Sequence, residues 1–307
     1  MTLSLTEALH QACAVVGIEP PKRRLSPGQW VRTDTKGKNG RDDAAVLIFD
    51  DENGGMVWNH QTGANHRFSL TGSGQVRRDP EAERRARRRE AARLAEQKEV
   101  ERICAAIVQG CRQDNHPYLE KKGFPDELGL VCDVPSKFFP ETPFGEALAK
   151  ALPGIGPFLI VPGRIGGKVT TVQFITADGA KRKNILRGAQ GGASHRIATG
   201  RDTWVCEGIA TAMSVRAALR LLGVSATVLS AFSASNVEKV AAAIPGARIA
   251  ADHDAPNAHL EGKGAGEFYA RRSGCAWTMP PAIGDWNDHH QEHGLRSAAI
   301  LLREAMG

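Results

Sequence analysis

No window of this 307-residue chain holds the run of about 18 consecutive apolar residues that a membrane-spanning helix needs. The N-terminus lacks a basic stretch followed by a long apolar run, so no secretory leader is expected and the protein is expected in the cytoplasm. Its six cysteines, Cys13, Cys104, Cys111, Cys132, Cys206 and Cys275, form no C-x-x-C pair. That removes the zinc-ribbon and dithiol motifs and leaves buried thiols of a reducing compartment as the expectation. His289, His290 and His293 cluster without matching H-E-x-x-H and without a nearby cysteine, so no zinc is predicted. The stretch Gly262, Lys263, Gly264 and Gly266 fails the G-x-x-x-x-G-K-[ST] pattern, so no ATPase motor is expected. Lys263 and the amides beside it remain available to a phosphate at a helix start. No internal repeat is visible.

Charge and periodicity supply the positive evidence. The formal net charge of +6 favours a polyanionic partner. Residues 1–75 read as a small α+β module: helical apolar spacing from Leu3 to Val16, then strand-like runs at Trp30–Thr33, Ala44–Asp50, Gly55–Asn59 and His66–Ser69. Residues 76–103 read as a charged helical linker. Arg77 to Arg93 contains eight arginines against Asp79, Glu81, Glu83 and Glu90, and Pro80 stands where a helix could begin. Such a helix is either a solvated linker laced with ion pairs or a basic arm for phosphates. Residues 104–200 are expected to form a basic, helical subdomain: 104–150 mostly helical and then irregular, a Pro-rich connection from Pro135 to Pro153, then a hairpin of Phe158–Val161 with Val169–Ile175. From 201 to 307, strands alternate with helices, which predicts an α/β domain with a central, mainly parallel sheet flanked by helices.

In such a sheet, ligands collect beyond the carboxyl ends of the strands. The run Trp204, Val205, Cys206 ends in Glu207 and Gly208; the run from Ala247 to Ala251 ends in Asp252, His253 and Asp254. Asp252 and Asp254 would share a side if extended. Asp285 and Asp288 follow the last short strand. Carboxylates converging in one crevice repel one another, and a divalent cation, Mg²⁺ or Mn²⁺, relieves them. Each acid also has a plainer reading: Glu207 and Asp285 as helix caps, Asp252 and Asp254 as residues of a surface turn. Lys168, Lys181, Lys183 and Arg187, with Arg182 among them, adjoin the acids in sequence and are candidates for nucleotide or DNA phosphates, or ordinary solvated charges.

The order Glu-Gly, Asp-x-Asp and a final Asp-Trp-Asn-Asp element on alternating strands and helices resembles the Toprim domain of bacterial-type primases, topoisomerases and some nucleases. The run from Val205 to Ser214, the segment His116 to Gly123, and Asp178-Gly179 with Lys181, Leu186 and Gly188 resemble more narrowly the primases of phages and mobile plasmids. The resemblance implies Glu207 as an acid/base or metal-proximal glutamate, Asp252 and Asp254 as a metal pair, and Asp285 with Asp288 completing the acidic cluster. It further implies a DNA replication enzyme, a nucleotidyltransferase that joins ribonucleoside triphosphates into short RNA primers on single-stranded DNA by two-metal-ion catalysis, with any helicase a separate protein. The alternatives are a Toprim nuclease and a non-catalytic single-stranded-DNA-binding accessory protein. A topoisomerase is disfavoured, because Tyr118 and Tyr269 are the only tyrosines and neither lies in a recognisable strand-passage setting. The segment from Gln29 to Gly63 sits where bacterial primases carry a zinc ribbon but lacks the cysteines. A zinc-free module could still stack bases on Trp30 or Trp58, unless both are core residues.

Overall fold

The computed structural model describes residues 3–37, 40, 42–61, 64–70, 80–257 and 260–306, within two compact units, Met1–Leu94 and Ala95–Gly307. Arg77, Arg78 and Asp79 of the charged segment, and Gly63, lie outside the described residues.

In the first unit, Ser4 and Glu7 form a reciprocal cap. The Ser4 hydroxyl accepts from the Glu7 amide at 3.2 Å, and the Glu7 carboxylate accepts from the Ser4 amide at 2.8 Å. This starts helix α1 (Leu5–Val16), whose Leu9, Ala12, Cys13 and Val16 are buried. They pack on one face of an antiparallel meander of β1 (Trp30–Thr33), β2 (Ala44–Ile48), β3 (Gly54–Asn59) and β4 (Asn65–Ser69). The strands fall within a residue or two of the strand-like runs that glycine and Asp/Asn turns separate, and Val46, Ile48, Val57 and Phe68 point inward. Helix α2 (Pro80–Gln109) runs 30 residues, further than the charged segment suggests. Its beginning is exposed and arginine-rich, with Arg85 and Arg89 on Asp50. Its end buries Val100, Ile103, Cys104 and Ile107 in the second unit.

The second unit holds two sheets. The first is antiparallel, in the order β5 (Arg112–Asp114), β6 (Gly129–Cys132), β7 (Phe158–Ile165), β8 (Lys168–Ile175), β9 (Arg182–Asn184). Helix α3 (Pro117–Lys121) lies between β5 and β6, and α4 (Pro143–Lys150) precedes β7. The expectation of a mostly helical stretch from 104 to 150 is corrected here: β5 and β6 lie within it. Strands of three or four residues are too short to show a period; β6 forms by pairing with β7 of the long hairpin, and β5 by pairing with β6.

The remaining elements are β10 (His195–Ala198), β11 (Asp202–Cys206), α5 (Ile209–Leu221), β12 (Ala226–Ser230), α6 (Ala234–Ala242), β13 (Arg248–Ala250), α7 (Ala265–Ser273), β14 (Ala276–Thr278), α8 (Trp286–His293) and α9 (Leu295–Glu304). Strand order is β10-β12-β11-β13-β14, with β11 to β14 parallel and β10 antiparallel at the edge. Alternate side chains serve opposite faces, so this α/β sheet is covered on both. Trp204, Cys206, Val228 and Ala250 pack with α5 and α9, whereas Val205, Leu229 and Ile249 pack with α6 and α7. The chain leaves β11 toward β12 on one side and returns to β13 on the other. That reversal of winding opens a crevice between β11 and β13, the position at which open α/β sheets bind ligands.

Trp286 locks the last helices to this sheet. It is fully buried, and its indole N–H donates to the Ala251 carbonyl at 3.1 Å. Among the described residues, no helix is long and apolar enough to cross a membrane. Trp286→Ala is expected to cost about 3–5 kcal/mol, read by urea denaturation, because it empties a core site and strands a carbonyl; a loss below about 1 kcal/mol would contradict this packing.

Candidate functional site

Register brings the acids together. Cys206 pairs with Ala250 across the parallel β11–β13 ladder, so Glu207 and the segment Ala251–Asp254 leave neighbouring strands at the same end of the sheet. The Glu207 carbonyl accepts from the Phe232 amide at 2.8 Å and from the Ser230 hydroxyl at 3.1 Å, which fixes the backbone at the crevice mouth. His253 forms a two-way backbone bridge with Gly284, both bonds 2.9 Å. That bridge carries Asp285 to the same rim.

The carboxylates feel one another. Burial pushes the Glu207 carboxyl up to about 7; the Asp254 and Asp285 charges add to this, while Arg182 and the Ala234 amide oppose it. Burial also raises Asp252 well above the usual carboxylate range, with Glu207, Asp285 and Asp254 pushing further, against one hydrogen bond at 3.2 Å from the Thr211 hydroxyl. Two of the four acids are already engaged with helix N-termini. Asp254 accepts from the Gly266 amide at 2.8 Å, and Asp285 accepts from the Asn287 and Asp288 amides at 2.7 and 2.8 Å. Asp288 returns a bond to the Asp285 amide at 3.1 Å and faces Lys122 at 3.6 Å, outside the buried group.

Glycine makes the close approach of α7 possible. A Cβ on Gly266 would stand 2.1 Å from the Asp252 carbonyl oxygen. The glycines of the loop-like stretch at 262–266 thus include one that packs a helix end onto the acidic strand. Lys263 itself pairs with Glu261 at 2.8 Å.

Of the basic candidates, Arg182 is the one that reaches the acids. On β9 it pairs with Ile175, whose face meets Tyr118, Ile209 and Met213, whereas Lys183 pairs with Phe174 on the other face. Its guanidinium lies 5.9 Å from the centroid of the Tyr118 ring, and its Nη1 would be 3.9 Å from a Cβ on Gly208. Lys181 has the parity of Lys183, and Lys168 is exposed at the start of β8. Arg187 pairs with Glu96. Sequence reasoning named Arg182 only among its neighbours. The strand parity of β9 would have singled it out had a three-residue strand been legible.

Tyr118 was not read as a site residue at all. It is buried, its hydroxyl has no hydrogen-bond partner, and burial raises its pKa, with Asp285 and Asp288 adding and Arg182 opposing. Three distant motifs meet around it. Gly179, at φ 70, lets the turn after β8 lie against the Tyr118 ring, since a Cβ there would stand 2.6 Å from Cδ2. The Lys121 ammonium donates to the Asp178 carbonyl at 3.0 Å, and the Asn287 amide donates to the Lys122 carbonyl at 2.8 Å. Two of the three histidines of α8 have hydrogen-bond partners: His290 bonds with Ser214 at 3.1 Å and His289 with Ser297 at 3.0 Å, while His293 lies 3.8 Å from the Glu292 carboxylate.

The donor set is oxygen only, which suits a hard cation. Among the described residues, no three His, Cys, Asp or Glu side chains are drawn into a ready-made ligand shell. The half-buried pair Glu207 and Asp252, with the exposed Asp254 following on the same segment, fits an ion such as Mg²⁺, which binds through one or two carboxylates and keeps its waters for substrate phosphates to replace.

Residues 202–296 match the family model of the Toprim domain, so the crevice belongs to a Toprim domain. Among solved structures, the chain is similar to the primase fragment of the bacteriophage T7 primase-helicase protein, at 15% identity over 62% of this chain and 69% of that one, TM-score 0.37. It is also similar to the zinc binding and RNA polymerase domains of the Aquifex aeolicus primase, at 11% identity over 99% of this chain and 86% of that one, TM-score 0.42.

Because the folded-state carboxyl of Glu207 lies above its ordinary value of 4.5, its contribution to stability is full below about 4.5 and is lost as pH rises through about 7. Asp252 acts in the same direction. Thermal melts in chelator are therefore expected to weaken across that window, by on the order of 2 kcal/mol. Glu207→Gln is expected to flatten the slope and Mg²⁺ to restore stability at neutral pH; a slope unchanged by Glu207→Gln would contradict the coupling.

Proposed function

We propose that this protein is a primase-type nucleotidyltransferase that joins ribonucleotides into short primers on single-stranded DNA. The reading rests above all on one arrangement: Glu207 and Asp252 flank the crevice of a Toprim domain, and Arg182 enters it from the antiparallel sheet of the same unit. Acids for a cation on one side and a guanidinium for a phosphate on the other suit phosphoryl transfer, where positioning and charge neutralisation do most of the work.

In the proposed reaction, the primer 3′-oxygen attacks the α-phosphorus of the incoming triphosphate. The new O–P bond forms as the bond to the β-phosphate oxygen breaks, and pyrophosphate leaves. The 3′-hydroxyl proton would pass to water at the crevice, or to Glu207 where that carboxylate is not engaged by the cation. Asp252 and Asp254, with Glu207, would hold Mg²⁺ or Mn²⁺, which when bound supplies charge neutralisation at the triphosphate. Arg182 would grip the triphosphate, and Tyr118 would hold that guanidinium in place through its ring.

Incubation with single-stranded DNA, labelled ribonucleoside triphosphates and Mg²⁺ or Mn²⁺, with products resolved by length, tests this. Primers are expected from the native chain. Asp252→Ala is expected to lower synthesis by about 100-fold or more, and Arg182→Ala to raise KM for nucleotide by about 10-fold or more. Strand cleavage without synthesis would establish a nuclease instead, and DNA binding with neither activity would establish an accessory protein.

A further inference from the structure

Two cysteines that share no C-x-x-C spacing meet in the antiparallel sheet of the second unit. Cys111 lies between α2 and β5, and Cys132 is the last residue of β6. In the β5–β6 ladder Asp114 faces Gly129, Gln113 faces Leu130 and Arg112 faces Val131. Antiparallel strands count in opposite directions, so the next residues outward, Cys111 and Cys132, stand opposite each other. Opposed residues of such a pair have Cα atoms about 4.5–5.5 Å apart, inside the range of about 4.4–6.8 Å that a disulfide spans. Both side chains take the same face: Cys132 belongs to the apolar cluster of Ile107 and Phe158, and Cys111 packs against that cluster. The Cys111 thiol has two acceptors before it, the Ile107 carbonyl at 3.1 Å and the Cys132 sulfur.

The surroundings make the pair reactive. Cys132 is buried and Cys111 partly exposed, so solvent reaches the sulfurs through Cys111. The bond from Cys111 pulls the Cys132 thiol down to about 7; the Val134 amide and the Lys137 charge add to this, while burial and Asp133 oppose it. The same bond and burial hold the Cys111 thiol up, against Lys137 and Arg112. One proton then lies between two sulfurs, and one sulfur is a nucleophile near neutral pH. The other thiols are placed elsewhere. Cys104 shares the cluster, but its thiol meets the Val172 backbone. Cys13 is buried in the first unit and Cys206 within the parallel sheet, and Cys275 lies beside Ser273.

We infer that Cys111 and Cys132 form an oxidation site, a cross-strand dithiol that a peroxide closes to a disulfide and a thiol reductant reopens. One sulfur, as thiolate, attacks the O–O bond of hydrogen peroxide, becomes a sulfenic acid and releases hydroxide. The second sulfur attacks the sulfenic sulfur; the S–S bond forms, the S–O bond breaks and a second hydroxide leaves. The two thiol protons convert both hydroxides to water. Two thiols and one peroxide thus give one disulfide and two waters, the sulfurs losing the two electrons that the peroxide gains. The bond closes a loop from the end of α2 to the end of β6, and that loop carries α3 with Tyr118. Closing it restricts the unfolded chain, so the oxidised form is the more stable one. Neither sulfur belongs to the acid crevice, and the site stands whether or not the polymerase reading does.

The test treats the reduced full chain with a slight excess of hydrogen peroxide, blocks the remaining thiols in denaturant and maps the peptides by mass spectrometry without reduction. A peptide pair joining Cys111 to Cys132 is expected, with two of the six thiols lost and both restored by dithiothreitol. The oxidised chain is expected to melt about 5 °C or more above the reduced one. Cys111→Ser should abolish both the link and the rise in melting temperature, whereas Cys275→Ser should keep both. Peptide mapping of the native chain decides the matter without any variant, so a substitution that impairs folding leaves the test intact. Cys111 and Cys132 still unlinked after peroxide, a sulfinic acid at Cys111 in place of the bond, or a link through another cysteine or between two chains on a non-reducing gel would each overturn the inference.

Discussion

Holding Glu207 and Asp252, both half-buried, at one edge of the parallel sheet is the constraint around which the second unit is organised. Partial burial raises the proton affinity of both, and neighbouring carboxylates raise it further: Asp254 and Asp285 at Glu207, and Glu207, Asp285 and Asp254 at Asp252. The fold tolerates them through a small set of favourable contacts: the Thr211 hydroxyl on Asp252, the Ala234 amide at Glu207, the Arg182 guanidinium nearby. None of these neutralises the group completely. A site that remains under-compensated in this way is held ready for a positive ligand, and the winding reversal between β11 and β13 is what places it at an accessible edge.

The supporting structure converges from far along the chain. α8 enters through a capping box on Asp285, which is itself delivered by the His253–Gly284 bridge. Asn287 then reaches Lys122 and Ser214, so that α3, α5 and α8 hold one another by their polar atoms. Tyr118 fills the space between them and presents its ring to Arg182. The antiparallel sheet therefore contributes a cation to a crevice whose anions come from the parallel one. One compact unit holding both sheets, rather than an isolated parallel sheet, forms the candidate site.

Much of this was legible in the residues. Glu207 and Asp252 stood out because apolar runs ended in acid, and a strand terminus has only one place to go in a parallel sheet. The strands of the first unit are readable because glycine and Asp/Asn turns bound each strand-like run. What escaped was short or three-dimensional. β5, β6 and β9 have three or four residues each, so periodicity cannot register them. Without β9 there was no parity to separate Arg182 from Lys181 and Lys183. Tyr118 gave no signal because its importance lies in which groups surround it. The charged segment hid the end of α2, whose last turns switch from an exposed basic surface to the apolar core at Val100. A helix cap is the plain reading for Asp285 and a surface turn that for Asp254; in the folded chain both acids cap helix N-termini and also belong to the acidic group.

The claim beneath all of this is that Glu207 and Asp252 share one cation. Electron paramagnetic resonance titration of free Mn²⁺ against the purified chain measures that directly, without substrate or turnover. The account predicts saturable binding in the native protein, weakened by at least about 10-fold in both Glu207→Gln and Asp252→Asn, a loss no smaller than that of an outer-shell partner. Mn²⁺ binding of native strength in either variant would contradict it.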